Sequence, residues 1–264
     1  MLNALRAGHS KSPFPKARNL VADLLYEARR KPSIHVIFSA DITDFMASRD
    51  KAGADACSVT AYVLACLARA VRDQPEMHAY RTAFGSHLIT FDEVDVASTV
   101  EKTVNGTMIA WGLIIRDAGR KSINEIDSAL NHAKTSPAEE APGWRFEHWL
   151  MRQPRFIRRL IWLGPRFSPF LKKHFLGTVA VTSIGMFSKG ELNLLPLASS
   201  PLTLTLAIGG IEQQTAINGE GTASRSFISL CLCADHEIID GAPLTRFAEV
   251  LRAKIADPEA LTER

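Results

Sequence analysis

Two asparagine–glycine dipeptides constrain this chain most, because each stands next to runs of sheet-forming residues. Asn105-Gly106 separates residues 94–101 from residues 107–115, and Asn218-Gly219 precedes the apolar run 227–234. Asn-Gly is a frequent two-residue turn of antiparallel hairpins. Because each hairpin pairs two antiparallel strands, the sheet cannot be purely parallel. Helical segments are interspersed with these strands. We therefore expect an α/β protein, a two-layer sandwich with a mixed β-sheet.

Apolar residues at helical spacing predict the helices of this sandwich. They recur along residues 18–28, 59–71, 123–133 and 244–255. Ser58 can cap the second of these helices, and Ser122 with Glu125 forms a capping box before the third. Further strands are predicted at residues 35–40, 87–91, 178–182 and 202–208 and after Ile211, and a turn into a short helix at residues 41–49.

The length of 264 residues and a hydrophobic fraction of 46% suit a globular protein with a sizeable core. We expect a loose N-terminal lead over residues 1–16 and a single domain over residues 17–264. No apolar stretch approaches the roughly 20 residues of a spanning helix, and the N-terminus lacks the apolar run of a signal peptide. The predicted location is the cytoplasm.

The four cysteines have no disulfide-framework or CxxC spacing, which favours a reducing compartment. Cys231 and Cys233 lie two apart on one predicted strand and so share a face. Because no second histidine or cysteine cluster has zinc spacing, we interpret them as buried thiols and expect no metal.

A histidine follows the last predicted strand directly, with an aspartate four residues later. His236, Asp240 and Gly241 lie in a tight turn between the strand at residues 227–234 and the C-terminal helix. A side chain in such a turn can be held rigidly and still reach a substrate, which suits a catalytic base. The alternative is a structural histidine followed by Asp240 as a helix cap.

Several further stretches, in order along the chain, carry a family resemblance. They are residues 34–36 with 40–43, 58–62 with 72–76, 94–97 with 115–122, and 177–187. Residues 236–247 match the signature His-Arg-x-x-Asp-Gly-Ala except at Glu237. From about residue 17 to residue 259, the chain resembles the catalytic domain of the dihydrolipoamide acyltransferases of 2-oxoacid dehydrogenase complexes, and more distantly chloramphenicol acetyltransferase.

The resemblance implies an acyltransferase with a chloramphenicol acetyltransferase-like fold. His236 would take the proton of a thiol or hydroxyl acceptor while the acceptor attacks a thioester carbonyl. Thr182 matches the family's oxyanion-stabilising hydroxyl, and Asp240 would orient the site. The family also implies a homotrimer in which His236 of one chain meets Thr182 of the next.

Three other residues are candidates for substrate binding. Ser183 adjoins Thr182 but points to the opposite side of a regular strand, so only one of the two hydroxyls can serve the oxyanion. Gly241 would allow the turn and a close approach of backbone or substrate. His35 matches the family's histidine on the first strand and either lines the acyl channel or is structural.

The chain also departs from the family pattern. Glu237 stands where the dehydrogenase-complex enzymes have arginine, so any ion pair of that arginine is absent or reversed. Residues 49–52 superficially resemble a lipoyl-lysine turn but fall within the catalytic-domain match, so we expect no covalently attached lipoyl group. The acyl donor would then be acyl-coenzyme A or an acyl-carrier thioester.

The largest departure is an insertion at about residues 140–176. Its centre, residues 144–174, is called the basic segment here and holds eight Lys and Arg against Glu147 alone, a net charge of +7 in a chain of net +3. Prolines at 154, 165 and 169 predict that it is helical in pieces. Arginines interleaved with aromatic residues suit an anionic membrane surface, an acyl carrier protein or coenzyme A phosphates. The alternative is a helical hairpin that packs its aromatics and solvates its arginines.

The sequence thus favours a stand-alone acyltransferase. A non-catalytic trimeric scaffold that recruits a carrier or membrane through the basic segment is the alternative. A condensation-type enzyme shares the histidine motif but needs a second similar domain. No nucleic-acid-binding motif is present, and membrane binding would add a peripheral location to the cytoplasmic one.

Overall fold

The computed structural model describes residues 10, 12–53, 56–104, 107–185, 190, 192–196, 200–218 and 221–259. Within them the helices are α1 (Arg18–Ala28), α2 (Thr43–Ala52), α3 (Val59–Asp73), α4 (Ile123–Thr135), α5 (Trp144–Met151), α6 (Arg155–Phe167), α7 (Pro169–Leu176) and α8 (Gly241–Ala256). Short 3-10 helices lie at Pro75–His78, Ala118–Arg120 and Ala138–Glu140. Among the described residues, no helix is both long enough and apolar enough to cross a membrane.

The strands are β1 (Ser33–Asp41), β2 (Tyr80–Arg81), β3 (Leu88–Ile89), β4 (Val96–Val104), β5 (Thr107–Ile115), β6 (Val179–Ser183), β7 (Leu204–Asn218) and β8 (Gly221–Asp235). Six of them form one sheet in the order β1-β8-β7-β6-β4-β5, and β2 pairs with β3. The pairs β4/β6 and β6/β7 are parallel, whereas β1/β8, β7/β8 and β4/β5 are antiparallel. The predicted mixed sheet is confirmed.

One face of this sheet carries the main core, packed under α3, α4 and α8. The central helix α3 begins at Ser58, whose hydroxyl accepts from the N–H of Ala61, as predicted. The capping box of Ser122 and Glu125 opens α4. Because α3 is buried almost all round, its Tyr62 hydroxyl requires a partner and donates to the carbonyl of Ile255 in α8 at 2.8 Å. These contacts give the predicted two-layer α/β sandwich.

The two hairpins form as predicted, but β7 is longer than expected. The stretches at residues 202–208 and after Ile211 are one strand, interrupted by a register shift between Ile208 and Ile211. Glycine is required there, because the backbone at Gly190 and Leu192 approaches the strand closely. A Cβ on Gly209 would lie 2.1 Å from the carbonyl oxygen of Leu192, and a Cβ on Gly210 would lie 2.1 Å from that of Gly190. The strand predicted at residues 87–91 shortens to the two residues of β3. Both hairpin-turn glycines and most of the N-terminal lead lie outside the described residues.

The basic segment forms the three helices α5, α6 and α7. Pro154 precedes the first residue of α6, and Pro169 is the first residue of α7, positions that need no backbone donor. The prediction that Pro165 interrupts the segment was wrong. It lies inside the last turn of α6, where a single lost hydrogen bond does not end the helix.

Candidate active site

The turn that carries His236 is fixed to two parts of the chain. The backbone N–H of His236 donates to the carbonyl of Pro32 at 2.8 Å, just before β1. The buried Asp235 accepts from the backbone N–H of Glu237 at 3.1 Å and pairs with the Lys31 ammonium. A carboxylate buried beside an ammonium and an N–H donor holds the turn in one conformation. These contacts therefore hold the backbone that carries the His236 imidazole in a fixed position.

The His236 ring is preset in one protonation pattern. Its Nδ1 lies 3.2 Å from the carbonyl oxygen of Ile239. A carbonyl oxygen only accepts, so the neutral ring carries its proton on Nδ1 and leaves Nε2 as an acceptor. The side chain as a whole is 45% exposed. A ring held in this way can accept a proton at Nε2.

Asp240 stands four residues on, at the position before α8. Its carboxylate lies 3.6 Å from Nδ1 of His236, is 83% exposed, and makes no capping hydrogen bond to the helix. The Asp240 side chain therefore does not cap α8. At 3.6 Å the carboxylate is too far from Nδ1 for a hydrogen bond and lies beside the ring as an exposed charge.

The two neighbouring hydroxyls of β6 point to opposite sides of the sheet. Val179 and Val181 belong to the core under the helices, so Ser183 faces the same side, and its Oγ lies 3.2 Å from Oγ1 of Thr60 in α3. Thr182 points to the other face. Ser183, predicted to bind substrate beside Thr182, is thus separated from it by the sheet, and its hydroxyl is occupied by Thr60.

A single chain does not bring Thr182 and His236 together. Thr182 pairs with Ala207, which pairs with Cys231, so it lies two strands away from β8 and level with a residue five positions before His236. At about 4.8 Å per strand and 3.3 Å per residue, the two Cα atoms are about 20 Å apart. No acceptor could contact both side chains within one copy.

His35 and Gly241 have local structural partners. Nε2 of His35 lies 2.9 Å from the carbonyl of Pro196, so it donates there and helps to hold residues 192–196 over the sheet. Gly241 is the first residue of α8, and its φ is not in the left-handed region. An added Cβ would lie 3.4 Å from the Cδ1 of Ile34. The turn itself therefore does not require glycine, contrary to expectation.

The family departure next to the histidine also has a partner. Glu237 pairs with Arg81 of β2 at 3.0 Å, so the ion pair at this position exists with the glutamate on the turn. Lys31, which lies between α1 and β1, is the partner of Asp235. Its place before β1, the strand that pairs with the end of β8, is the signal that could have indicated this contact.

The thiols on β8 are buried, as interpreted. Cys231 and Cys233 are free and lie on the face of the sheet opposite the helices. Burial raises the pKa of Cys231 to about 11, so this thiol stays protonated at neutral pH.

Helix α6 turns two of the arginines of the basic segment inward, toward α1. Arg158 of α6 is buried, donates to Asp23 of α1 at 2.5 Å and to the carbonyl of Gln153 at 2.8 Å. Arg159 lies 3.3 Å above the ring of Tyr26, also in α1, and lowers the pKa of that phenol through a hydrogen bond and its charge. These two arginines fix α6 to α1.

The apolar side of α6 faces solvent instead. Phe156, Leu160, Leu163 and Phe167 recur at helical spacing and are 72%, 66%, 39% and 54% exposed. Exposed aromatic residues of α5 and α7, among them Trp149, Phe170 and Phe175, extend this surface. The alternative that the segment packs its aromatics and solvates its arginines holds for Trp144, which packs on Trp111, and for the exposed Arg155 and Arg166. It fails for Arg158 and Arg159, which pack inward, and for Phe156 and Phe167, which face solvent.

Fold and turn together define an α/β sandwich with a half-exposed histidine in the turn after its last strand. The family model of the 2-oxoacid dehydrogenases acyltransferase (catalytic domain) matches residues 6–141 and 175–263. The chain belongs to this family. The match passes over residues 142–174, which coincide with the basic segment.

Curated relatives agree over parts of their length. The acetyltransferase component of the pyruvate dehydrogenase complex of Pseudomonas aeruginosa is 23% identical over 87% of this chain and 37% of that protein. The mitochondrial dihydrolipoyllysine-residue succinyltransferase component of the 2-oxoglutarate dehydrogenase complex of Saccharomyces cerevisiae is 31% identical over 32% of this chain and 18% of that protein. The chain thus spans well under half the length of these relatives.

Solved structures share the fold. The Azotobacter vinelandii dihydrolipoamide acetyltransferase superposes with a TM-score of 0.75 at 19% identity, covering 98% of this chain and 96% of that one. A truncated catalytic core from Thermoplasma acidophilum gives a TM-score of 0.67 at 20% identity, covering 95% and 99%. The cubic core of a pyruvate dehydrogenase complex gives 0.70 at 19% identity, covering 98% and 96%.

Proposed function

We propose that this protein is an acyltransferase that moves an acyl group from a thioester to a thiol or hydroxyl acceptor. The observation that carries the proposal is the half-exposed His236 ring, whose Nδ1 is directed to the carbonyl of Ile239 so that Nε2 is left as the acceptor. Membership of the acyltransferase family supports the reaction class. Acyl-coenzyme A or an acyl-carrier thioester is the donor in this proposal.

The reaction follows from the protonation pattern of the ring. Nε2 of His236 takes the proton of the acceptor S–H or O–H while the acceptor attacks the thioester carbonyl carbon. The resulting oxyanion accepts a hydrogen bond from the Thr182 hydroxyl of a neighbouring copy, and Asp240 balances the imidazolium. The oxyanion then re-forms the carbonyl, the C–S bond of the donor breaks, and the leaving thiolate takes the proton from Nε2.

We also propose that the working protein is a homotrimer, or a multiple of one. The roughly 20 Å between Thr182 and His236 in one chain supports this proposal, because a second copy could then supply the hydroxyl. The Azotobacter vinelandii study concerns a serine, a histidine and an asparagine in the catalytic mechanism, and its asparagine follows the histidine by four positions, as Asp240 follows His236. Another relative forms a cubic core.

The decisive experiment measures transfer from acyl-coenzyme A to a panel of thiol, alcohol and carrier-protein acceptors. His236→Ala should lower the rate by about 10²- to 10⁴-fold. Arg252→Ala, an exposed change on α8, serves as the control. Full activity of His236→Ala would overturn the assignment of the base. A parent protein that turns over none of the panel favours the non-catalytic scaffold instead.

Co-expression tests the shared site directly. His236→Ala and Thr182→Ala chains, each weak alone, should form mixed assemblies that recover roughly a quarter of the parent activity, because intact residues then meet at some interfaces. Mixed assemblies no more active than their components would show that each copy works alone.

We further propose that the basic segment binds an anionic membrane surface and not an acidic carrier protein. The reversed packing of α6 supports this, since its apolar stripe faces outward and Arg152 and Arg155 are exposed beside it. Burial raises the pKa of Glu147, the one acid of the segment, to about 7, which reduces its negative charge near neutral pH. An apolar stripe flanked by arginines suits the boundary between headgroups and acyl chains.

Vesicle sedimentation tests this proposal, with phosphatidylserine-rich and pure phosphatidylcholine vesicles. Phe156→Ser with Leu160→Ser, and separately Arg152→Glu with Arg155→Glu, should each abolish binding to the anionic vesicles. Arg158 is unsuitable for the test because it is buried against Asp23. Absence of binding by the parent protein, or equal binding by the variants, contradicts a membrane partner. A shift in oligomeric state caused by the serine variants would assign the surface to a second copy.

A further inference from the structure

A cavity of about 390 Å³ lies between the basic segment and the turn that carries His236. Its walls come from the end of α1, the loop after β2, helices α6 and α7, and the turn residues Asp235 and Glu237. The volume falls within the range of small-molecule sites. Asp235 and Glu237 flank His236 in sequence, so the cavity adjoins the turn that carries the proposed base, although the His236 side chain does not line it.

The cavity carries more positive than negative charge. Its cations are Arg30, Lys31, Arg81, Arg166 and Lys172, and its acids are Glu27, Asp235 and Glu237. Two of the acids are already paired, Asp235 with Lys31 and Glu237 with Arg81. Within the described part of the chain, Lys172 and Arg166 have no ion pair with a carboxylate. The cavity therefore holds cations without counterions.

Lys172 is the cation that most requires a partner. Its ammonium lies 4.2 Å from the ring centroid of Tyr80, whose hydroxyl is engaged with the carbonyl of Gly177 at 2.6 Å. Burial, and then the charge of Lys31, lower the pKa of Lys172 to about 7, while Asp235 opposes the shift. A buried cation beside a second cation is costly unless an anion compensates it.

We propose that this cavity binds an oxyanion, a carboxylate or phosphate group, on the molecule whose acyl transfer His236 assists. The site rests on the proposed acyltransferase function and names the charge class of its substrate. Arg166 and Lys172 belong to the stretch that the family model passes over, so this wall is a feature of the present chain. Lys31 and Asp235 join the wall to the catalytic turn through one ion pair.

Binding of simple anions tests the site without any turnover. Isothermal titration uses sulfate as a phosphate mimic, succinate as a carboxylate, and succinamide as the neutral analogue. Sulfate or succinate should bind the parent saturably and raise its melting temperature. Lys172→Met should weaken the affinity at least tenfold, whereas the exposed Lys134→Met and His236→Ala should leave it unchanged. No saturable anion binding by the parent, or unchanged binding by Lys172→Met, overturns the proposal.

Kinetics separate this proposal from the proposed function. Donors with a terminal carboxylate, such as succinyl-coenzyme A, are compared with acetyl-coenzyme A, and phosphorylated acceptors with their unphosphorylated forms. Lys172→Met should raise KM at least tenfold only for the partner that carries the extra anion, which also identifies the source. Equal effects on charged and neutral partners contradict the anion site. If no substrate turns over but anions still bind, the catalytic proposal fails while the anion site stands without its link to substrate.

Discussion

At the scale of single residues, the hydrogen bonds and strand geometry of the backbone determine which side-chain atoms of the site remain available. The carbonyl of Ile239 takes the Nδ1 proton of His236, so that Nε2 remains the acceptor. Because successive side chains of β6 point to opposite faces of the sheet, Thr182 lies on the face away from the helices, while Ser183 contacts Thr60 on the helical side. Of the two neighbouring hydroxyls, one is therefore available for chemistry and one is structural.

Substitutions at Thr182 should distinguish a hydrogen-bond donor from a strand residue. Thr182→Val keeps the β-branched shape but removes the hydroxyl, and we expect kcat to fall by about 10²- to 10³-fold with a small change in KM. Thr182→Ser restores the donor and should recover most of the rate. Steady-state kinetics on the best acceptor provides the measurement, with Ser183→Ala as the neighbouring control. Similar rates for the valine and serine variants would exclude an oxyanion role.

Lys172 should leave a signature in the pH dependence of stability. Its pKa is about 7 in the folded chain and near 10.5 in the unfolded one, so between these values the unfolded chain holds a proton that the native chain lacks. The free energy of unfolding should therefore rise with pH from about 7 to 10. Burial is the largest cause of this lowered pKa, the charge of Lys31 adds to it, and Asp235 opposes it, while Arg81, Arg166 and Glu237 also line the cavity.

Lys172→Met removes this titration. Urea unfolding at several pH values should show the variant gaining most over the parent near pH 6, where the native chain must bury the ammonium, and least near pH 10. The difference between variant and parent provides the measurement, because other groups titrate equally in both. A difference that does not change with pH would mean that the ammonium is solvated.

At the scale of elements, the orientation of α6 explains how an arginine-rich helix can present an apolar surface. Asp23 of α1 is buried and needs a partner, and Arg158 supplies it, which turns the arginine side of the helix toward the body. Arg159 adds the contact with Tyr26. The C-terminal end of α7 is held by Arg116, which donates to the carbonyls of Lys173 and His174 and pairs with Asp95. These three contacts make Arg116 difficult to replace.

Loss of the buried pair should cost more than loss of any surface arginine of the segment. Arg158→Met leaves the Asp23 carboxylate buried without a counterion, and we expect a destabilisation of about 3–5 kcal/mol. Asp23→Leu combined with Arg158→Met should recover much of the loss, since apolar groups replace both charges. Chemical denaturation measures both, with the exposed Arg155→Met as the control. A cost for Arg158→Met as small as that of the control would contradict the inward orientation of α6.

The sequence predicts what is encoded locally and misses what depends on distant packing. The Asn-Gly hairpins, the caps at Ser58 and Ser122 and the histidine turn each rest on a few adjacent residues. The periodicity of α6 shows two sides but not which of them faces the body, because that depends on Asp23, 135 positions from its partner. The anion cavity likewise combines Lys31, Lys172 and Asp235, which no local pattern connects.

At the scale of the whole molecule, the candidate site is incomplete in one chain. His236, the proposed base, lies at the end of β8, whereas the Thr182 hydroxyl lies on β6, two strands away. The two residues are about 20 Å apart. On the sheet face away from the helices, Ile37 of β1 is an apolar side chain that is 56% accessible. Both features are accounted for if further copies of the chain cover this face.

Activity should therefore depend on protein concentration. If each site takes His236 from one copy and Thr182 from another, dilution below the assembly constant separates the pair, and the rate per chain should fall together with the assembled fraction. Mass photometry and acyl-transfer assays at matched concentrations provide the two curves. Thr182→Val chains serve as the control, because without the hydroxyl their smaller residual rate should change much less on dissociation. A rate per chain that stays constant while the assembly dissociates would place the whole catalytic apparatus within a single copy, and Thr182 could then have no part in it.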